Sequence, residues 1–114
     1  MRSNYNTEIE SILSSLNVPF NFLFYNGNAE TYITYQQTDK ENPLAGDDEI
    51  IGYIMAYDID IYSKGNYFPL IENLIHIMTL NGWTYQPTRE SADMFENDTN
   101  YFHKTICFAK ESEG

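Results

Sequence analysis

The feature that most constrains this chain is a run of alternating residues from Ile51 to Tyr62, followed directly by a helical pattern. The odd positions of the run are apolar or aromatic, whereas its even positions turn acidic at Asp58 and Asp60. Side chains alternate between the two faces of a strand, so the run predicts a long strand with one apolar face. About a dozen residues is long for a strand, and we expect part of it to project beyond the core or to carry a bulge.

The helical pattern begins after a break at residues 63–66. Apolar residues then recur every three or four positions, as on one face of a helix: Phe68, Ile71, Leu74, Ile75 and Met78. Asn66 is a candidate N-cap, Pro69 suits the first turn, and Asn81-Gly82 is typical of a left-handed helix end. The pattern predicts one helix packed on the apolar face of the sheet.

The first third of the chain is predicted to form a helix and a hairpin. Residues 4–16 carry an apolar stripe, with Asn6 or Thr7 as candidate caps. Residues 20–25 and 31–37 are rich in aromatic and β-branched side chains, and an Asn-Gly pair lies between them. Because Asn-Gly is typical of tight turns, we expect these two strands to form a hairpin.

The last third is predicted to add two strands, at residues 83–86 and 99–110. We interpret residues 88–97 as a loop with at most a helical turn, and residues 111–114 as a frayed tail. The resulting order, α-β-β-β-α-β-β, predicts a single α+β domain over residues 1–114. Its sheet is expected to be mainly antiparallel, with about four to five strands and both helices on one face.

The chain is strongly acidic, with a net charge of −11 from 17 acidic and 6 basic residues. Such a field repels phosphates and argues against tight binding to DNA or RNA. Two interpretations of the charge stay open: it serves solubility, or it lines a passage along which DNA slides.

Cysteine content and hydropathy exclude several further classes. The single cysteine, Cys107, permits no intramolecular disulfide and no cysteine-based metal site, and we expect a buried structural thiol. The first ten residues lack the apolar segment of a signal peptide. No apolar run approaches the roughly 20 residues that span a bilayer. We therefore expect a soluble intracellular chain without a cofactor.

A polar stretch at residues 38–48 is predicted to be a loop, and it carries four acids: Asp39, Glu41, Asp47 and Asp48. An EF-hand loop starting at the first of these acids would need glycine at its sixth position and glutamate at its twelfth. The chain has leucine and isoleucine there. We therefore predict a solvated or assembly loop instead of a calcium site.

Catalytic groups are sparse. Asp58 and Asp60 share a strand face and lie about 7 Å apart, a separation that overlaps the spacing of paired-carboxylate hydrolases. Paired acids on one strand are, however, more typical of the solvent-exposed face of a half-buried sheet. His76 and His103 are more typical of structural histidines. Cys107 lies about 13 Å from His103 by strand rise, too far for a nucleophile and its base. An enzyme using these groups is the least favoured hypothesis.

Four segments together resemble a known family. They are Asp-Ile-Asp-Ile-Tyr-Ser-Lys-Gly, the start of the helix, Asn-Gly-Trp, and Tyr-Phe-His-Lys-Thr-Ile-Cys-Phe, at residues 58–65, 66–74, 81–83 and 101–108. With the upstream Glu-Thr-Tyr-Ile-Thr-Tyr at residues 30–35, they resemble the tail terminator and tail completion (head–tail joining) proteins of long-tailed bacteriophages and prophages. The resemblance covers about residues 5–110 of the chain.

The resemblance implies a non-enzymatic virion component, assembled in the host cytoplasm, that forms a hexameric ring at the head-proximal end of the tail. Its implied partners are further copies of itself, the tail tube protein and the head connector protein. DNA would pass through the ring without tight binding, and no membrane is involved. The two acidic loops become candidate interfaces through these residues: Asp39, Glu41, Asp47, Asp48, Arg89, Glu90, Asp93 and Glu96.

A second hypothesis from the charge is a small monomeric binding protein, such as an inhibitor that mimics nucleic acid. The oligomeric state separates the hypotheses, since a tail terminator predicts a ring and an inhibitor predicts a monomer or dimer.

Overall fold

The structure is a computed structural model that describes residues 5–46 and 49–113, with side chains at residues 5–38 and 54–111. This part of the chain forms two helices and six strands: α1 (Asn6–Ser14), β1 (Phe20–Phe22), β2 (Thr31–Gly46), β3 (Glu49–Ser63), α2 (Phe68–Leu80), β4 (Thr84–Tyr85), β5 (Met94–Glu96) and β6 (Tyr101–Glu113). The strand order is β1-β2-β3-β6-β4, and β5 also pairs with β6. Because only β1 and β2 pair in parallel, the predicted α+β class with a mainly antiparallel sheet is confirmed.

The predicted alternation of β3 determines where the core lies. Its odd-numbered side chains from Met55 to Ile61 are fully buried. Three of these β3 side chains, Tyr57, Ile59 and Ile61, share one core cluster with inward residues of both helices and of the neighbouring strands. The cluster includes Ile9, Leu13, Ile71, Leu74, Ile33, Tyr35, Ile106 and Phe108. Both helices therefore pack on the same face of the sheet, as predicted.

The start of α1 differs from the prediction. The helix follows Tyr5, and neither Asn6 nor Thr7 acts as its cap. The Asn6 side-chain oxygen instead accepts a hydrogen bond from the Tyr57 hydroxyl at 2.6 Å. The Asn6 side chain therefore bonds to β3 instead of capping α1.

Most of the predicted signals around α2 are confirmed, but the predicted N-cap is wrong by one residue. The helix follows Tyr67 instead of Asn66, whose side-chain oxygen accepts a hydrogen bond from the Phe68 amide at 3.1 Å, and Pro69 lies in the first turn. Gly82 has φ +90°, a conformation that glycine adopts without strain, and it directs the chain into β4.

The predicted hairpin of β1 and β2 is wrong, because the two strands pair in parallel with Phe20 beside Ile33. The chain leaves the sheet at Leu23, which has φ 66°. The Leu23 amide still reaches the Tyr35 carbonyl at 3.0 Å. Residues 24–30 then return to the start of β2, so the Asn-Gly pair belongs to a longer connection.

The loop predicted at residues 38–48 is also wrong where the structure describes it, because β2 continues to Gly46 and pairs with β3 as far as Glu49. Register shifts fall between Gln37 and Asp39 and between Asp39 and Asn42. Pro43 is tolerated because β1 covers β2 only at residues 33–35, which leaves the rest of β2 as an edge. The projection expected of β3 is thus part of an extension that β2 and β3 form together with the end of β6.

The C-terminal third has more strand than predicted. Between β4 and β6, the predicted loop contains a short 3-10 helix, Pro87–Arg89, and the three-residue β5. The tail predicted to fray is strand as far as Glu113, because Glu113 pairs with Gly52 of β3. Cys107 is buried in β6, as predicted.

Candidate assembly surfaces

The side of the sheet opposite the helices, here called the polar face, carries three rows of side chains in register. Across β2, β3 and β6 the rows are Tyr32–Tyr62–His103, Thr34–Asp60–Thr105 and Gln36–Asp58–Cys107. The structure therefore confirms that Asp58 and Asp60 share this face, and it places Cys107 and His103 beside them.

Aromatic rings cross the polar face as a continuous stack. Centroid distances are 4.4 Å from Tyr25 to Tyr32, 4.6 Å from Tyr32 to Tyr62 and 4.1 Å from Tyr62 to His103. Tyr101 contacts Tyr32 and Tyr62 edge-on. Burial, together with the nearby charge of Asp60, raises the pKa of Tyr62 to about 12. The stack covers one end of this face with the chain's own side chains.

The acids, the thiol and the histidine of the polar face pair with one another. Asp60 accepts hydrogen bonds from the Thr105 hydroxyl and from His103 Nε2, the latter at 3.2 Å. The Cys107 thiol donates to Asp58 at 2.8 Å. Burial and this carboxylate raise the pKa of Cys107 to about 12. A thiol that keeps its proton is a poor nucleophile, so this arrangement favours a structural role.

Two of the predicted interface acids, Glu90 and Asp93, hold the segment between β4 and β5 against the body. Lys104 Nζ lies 3.2 Å from a Glu90 oxygen and 3.5 Å from an Asp93 oxygen. The Tyr85 hydroxyl donates to Glu90, and the Tyr67 hydroxyl donates to Asp93. The Tyr67 bond and Lys104 lower the pKa of Asp93. Both acids therefore serve the fold of the single chain.

The other predicted interface residues are more scattered. Arg89 ends the 3-10 helix, and its carbonyl lies 3.2 Å from the Cys107 thiol. Glu96 lies in β5 opposite Tyr101. Asp39 and Glu41 lie in β2, whereas Asp47 and Asp48 fall outside the described residues. Within the described residues, the predicted interface residues therefore belong to two segments, one in β2 and one at residues 89–96.

Replacing Lys104 with methionine is expected to lower the free energy of unfolding by about 1–2 kcal/mol, because Glu90 and Asp93 would face each other without a cation. The Lys104 side chain is only 13% exposed, so solvent would not fully screen the loss. Urea denaturation followed by circular dichroism measures the change. Added salt is expected to narrow the difference between the two proteins.

Lys64→Met is the matched control, since it removes the same charge from an exposed lysine whose ammonium lies 5.0 Å from the Tyr101 ring. We expect it to cost about 0.5–1 kcal/mol. Equal losses in the two variants would show that net charge, rather than the Lys104 cluster, controls stability.

Two exposed apolar patches were not predicted. The first, here called the β1 patch, consists of Phe22, Leu23 and Phe24, which are 43%, 54% and 69% exposed. Leu23 is held in the left-handed region, which costs an L-residue about 1–2 kcal/mol. A strained backbone that presents three consecutive apolar side chains to solvent is typical of a contact surface.

The second, here called the β5 patch, consists of Phe68, Met94, Phe95 and Phe102, each 41–55% exposed. The rings of Phe95 and Phe102 lie 4.9 Å apart. An open groove of about 400 Å³ adjoins the patch and is lined by Gly65, Asn66, Tyr67, Phe68, Asp93 and Phe102. This groove has an apolar floor between the start of α2 and β6.

The two patches lie at opposite edges of the sheet. The strand β1 ends the strand order on one side, and β5 pairs with β6 on the other side. Four strand spacings separate them, which is roughly 20 Å. The sequence held one signal for the β1 patch: apolar residues at 22, 23 and 24 break the alternation, so they cannot all face one core.

His76, considered earlier as a catalytic candidate, is exposed on α2. It lines a shallow groove with Leu16 and Leu80 between the ends of the two helices. No acid or cysteine lines this groove. The arrangement is consistent with a surface histidine.

No family model matches the chain, and a search of curated proteins finds no match to it. Within residues 5–46 and 49–113, no group of three or more histidines, cysteines or acids is arranged to hold a metal ion. The described helices are too short or too polar to cross a bilayer. The family resemblance of the sequence therefore stays a prediction.

Proposed function

We propose that this chain is a structural virion protein of a long-tailed phage or prophage, which assembles as a ring, caps the tail tube and joins it to the head connector. The observation that carries the proposal is the pair of exposed apolar patches at opposite edges of the sheet. Exposed apolar surface on a small acidic domain favours contact with other protein. The resemblance of residues 58–65 and 101–108 to tail terminator proteins indicates that this contact builds a ring at the end of the tail tube.

The arrangement of charges supports a ring through which DNA passes. Lys104 is paired with Glu90 and Asp93, and Lys110 is bonded to Glu8 at 3.0 Å. Both lysines are thus neutralised by acids of the same chain, and the chain as a whole has a net charge of −11. In the proposed ring, negative walls repel the phosphates of passing DNA and prevent it from sticking.

The test is the mass of the purified chain across a concentration series by light scattering, with negative-stain imaging of the same samples. We expect a closed ring of about six subunits, as the family resemblance implies, or a monomer that is recruited to the ends of tail tubes. Tubes polymerised from the tail tube protein of the same phage are the bait, and tubes of an unrelated phage are the control.

Two results would contradict the proposal. One is a chain that neither forms rings nor binds its own tail tubes. The other is a chain that remains monomeric and instead binds a DNA-binding protein tightly, which would favour an acidic inhibitor.

A further inference from the structure

We infer that neighbouring copies of this chain join head to tail, with the β1 patch of one copy seated in the groove beside the β5 patch of the next. The inference rests on the proposed ring and names its subunit interface. It comes from the shape and chemistry of the two patches and the groove. Of the candidate interface residues predicted from the sequence, Asp93 lines this groove.

The β1 patch is presented as a fixed projection. The Leu23 amide donates to Tyr35 at 3.0 Å, and the Phe24 amide donates to Phe22 at 2.7 Å. The Phe22 ring packs against Tyr35 with a centroid distance of 5.6 Å. The patch is therefore anchored to β2, and binding would cost little ordering of its backbone.

The groove beside the β5 patch suits an apolar occupant, because two of its polar side chains already have hydrogen-bond partners. The Tyr67 hydroxyl is bonded to Asp93, and the Asn66 side chain accepts the Phe68 amide. At Gly65, an added Cβ would meet nothing within 4 Å, so the rim there is open. An aromatic side chain can enter without leaving a buried polar group unpaired.

Charge favours a second copy as the occupant. Residues 11–29, which contain the β1 patch, carry no charged side chain in a chain with net charge −11. Two acidic copies repel each other least when one approaches through such a segment. On the receiving side, the groove-lining Asp93 is neutralised by Lys104 at 3.5 Å, and Lys64 precedes the groove residue Gly65.

The geometry favours a head-to-tail contact over a symmetric dimer. A two-fold contact that pairs one patch with itself leaves the other patch exposed, whereas head-to-tail contacts around a closed ring cover both. Each patch exposes roughly 300–400 Å² of apolar surface. The two together, with a polar rim, approach the ~1,000 Å² that a specific interface needs.

The test uses three variants that add the same charge: Phe24→Glu in the β1 patch, Phe68→Glu in the groove, and Leu80→Glu as the control. Leu80 is 70% exposed, ends α2 at the opposite end from Phe68, and lines a different groove. An acid at residue 68 lies in the first turn of α2, where negative charge is favourable, so the fold is expected to persist. Circular dichroism checks each variant.

We expect Phe24→Glu and Phe68→Glu each to remain monomeric where the wild-type chain and Leu80→Glu assemble, with affinity between copies reduced about 30-fold or more. A mixture of the two defective variants should form a heterodimer and nothing larger. The intact β1 patch of Phe68→Glu fits the intact groove of Phe24→Glu, and both outer ends are blocked.

Three results would overturn the inference: a wild-type chain that is monomeric at every concentration, variants that still form rings, or a mixture that stays monomeric. The first two can occur while the chain still binds tail tubes, in which case the proposed function survives. A heterodimer in the mixture, with no binding of any form to tail tubes, would support the interface and reject the phage role.

Discussion

Replacing Trp83 with alanine is expected to lower the free energy of unfolding by about 3–5 kcal/mol, a large fraction of the stability of a small domain. Trp83 is 2% exposed and contacts Tyr5 and Tyr57 edge-on, with centroid distances of 5.7 and 5.5 Å. Its indole N–H donates to Glu8 at 2.6 Å, and the Lys110 ammonium lies 5.4 Å from its ring. One side chain therefore joins α1, β3 and β6.

Urea denaturation followed by far-ultraviolet circular dichroism measures this loss, since the substitution removes the only tryptophan fluorophore. Trp83→Phe is the matched variant: it keeps an aromatic ring and loses the N–H, while Lys110 still binds Glu8 at 3.0 Å. We expect it to cost about 1–2 kcal/mol. A loss below 1 kcal/mol for the alanine variant, or equal losses for both, would contradict this account.

Raising the pH is expected to remove several kcal/mol of stability between about pH 10 and 12. Burial raises the pKa of Tyr57 and of Tyr62 from 10.0 to about 12, and the bond to Glu90 does the same for Tyr85. Burial also raises the pKa of Cys107 from 9.0 to about 12. The folded chain thus holds these protons more tightly than the unfolded chain.

The direction of the pH effect follows from that difference. The stabilisation is fully present below about pH 8, falls as the thiol and then the phenols of the unfolded chain ionise, and is lost as the pH rises through 12. For Tyr57, which is fully buried, two pKa units correspond to about 2–3 kcal/mol. Thermal melts between pH 8 and 12, with phenolate absorbance in parallel, measure the transition.

Tyr57→Phe tests the assignment to individual groups. The variant should lose about 1 kcal/mol at neutral pH, because the hydrogen bond to Asn6 is absent. It should also retain its remaining stability to higher pH than the wild type. A melting temperature that stays constant from pH 8 to 12 would contradict the expected role of the buried phenols.

Elements that build the core could be predicted from the sequence. The alternation of β3 and the apolar stripe of α2 reflect burial, which dominates the energy of those segments. The hairpin of β1 and β2 could not, since the local Asn-Gly signal was overridden by the turn at Leu23 and by parallel pairing. Residues 38–46 read as a loop in the sequence because they are mostly polar and include Pro43 and Gly46, although they form part of β2.

The candidate site was less predictable than the fold. Glu90 and Asp93 resembled free docking acids, because nothing in the sequence shows that Lys104 folds back between them. The hydroxyls of Tyr67 and Tyr85 also donate to these two acids, and the sequence gives no sign of these bonds. The apolar patches depend on which aromatic side chains the sheet leaves uncovered, and that becomes visible only when the strand order is known.

The position of β6 has a consequence for the order of synthesis and assembly. This strand pairs with β3 on one side and with β4 and β5 on the other, so the sheet is completed by residues made late. Phe102 and its partner Phe95 lie in and beside that strand. In the proposed ring, the β1 patch is therefore synthesised well before the residues that complete the receiving groove, so the proposed contact between copies cannot form until residue 102 has been made.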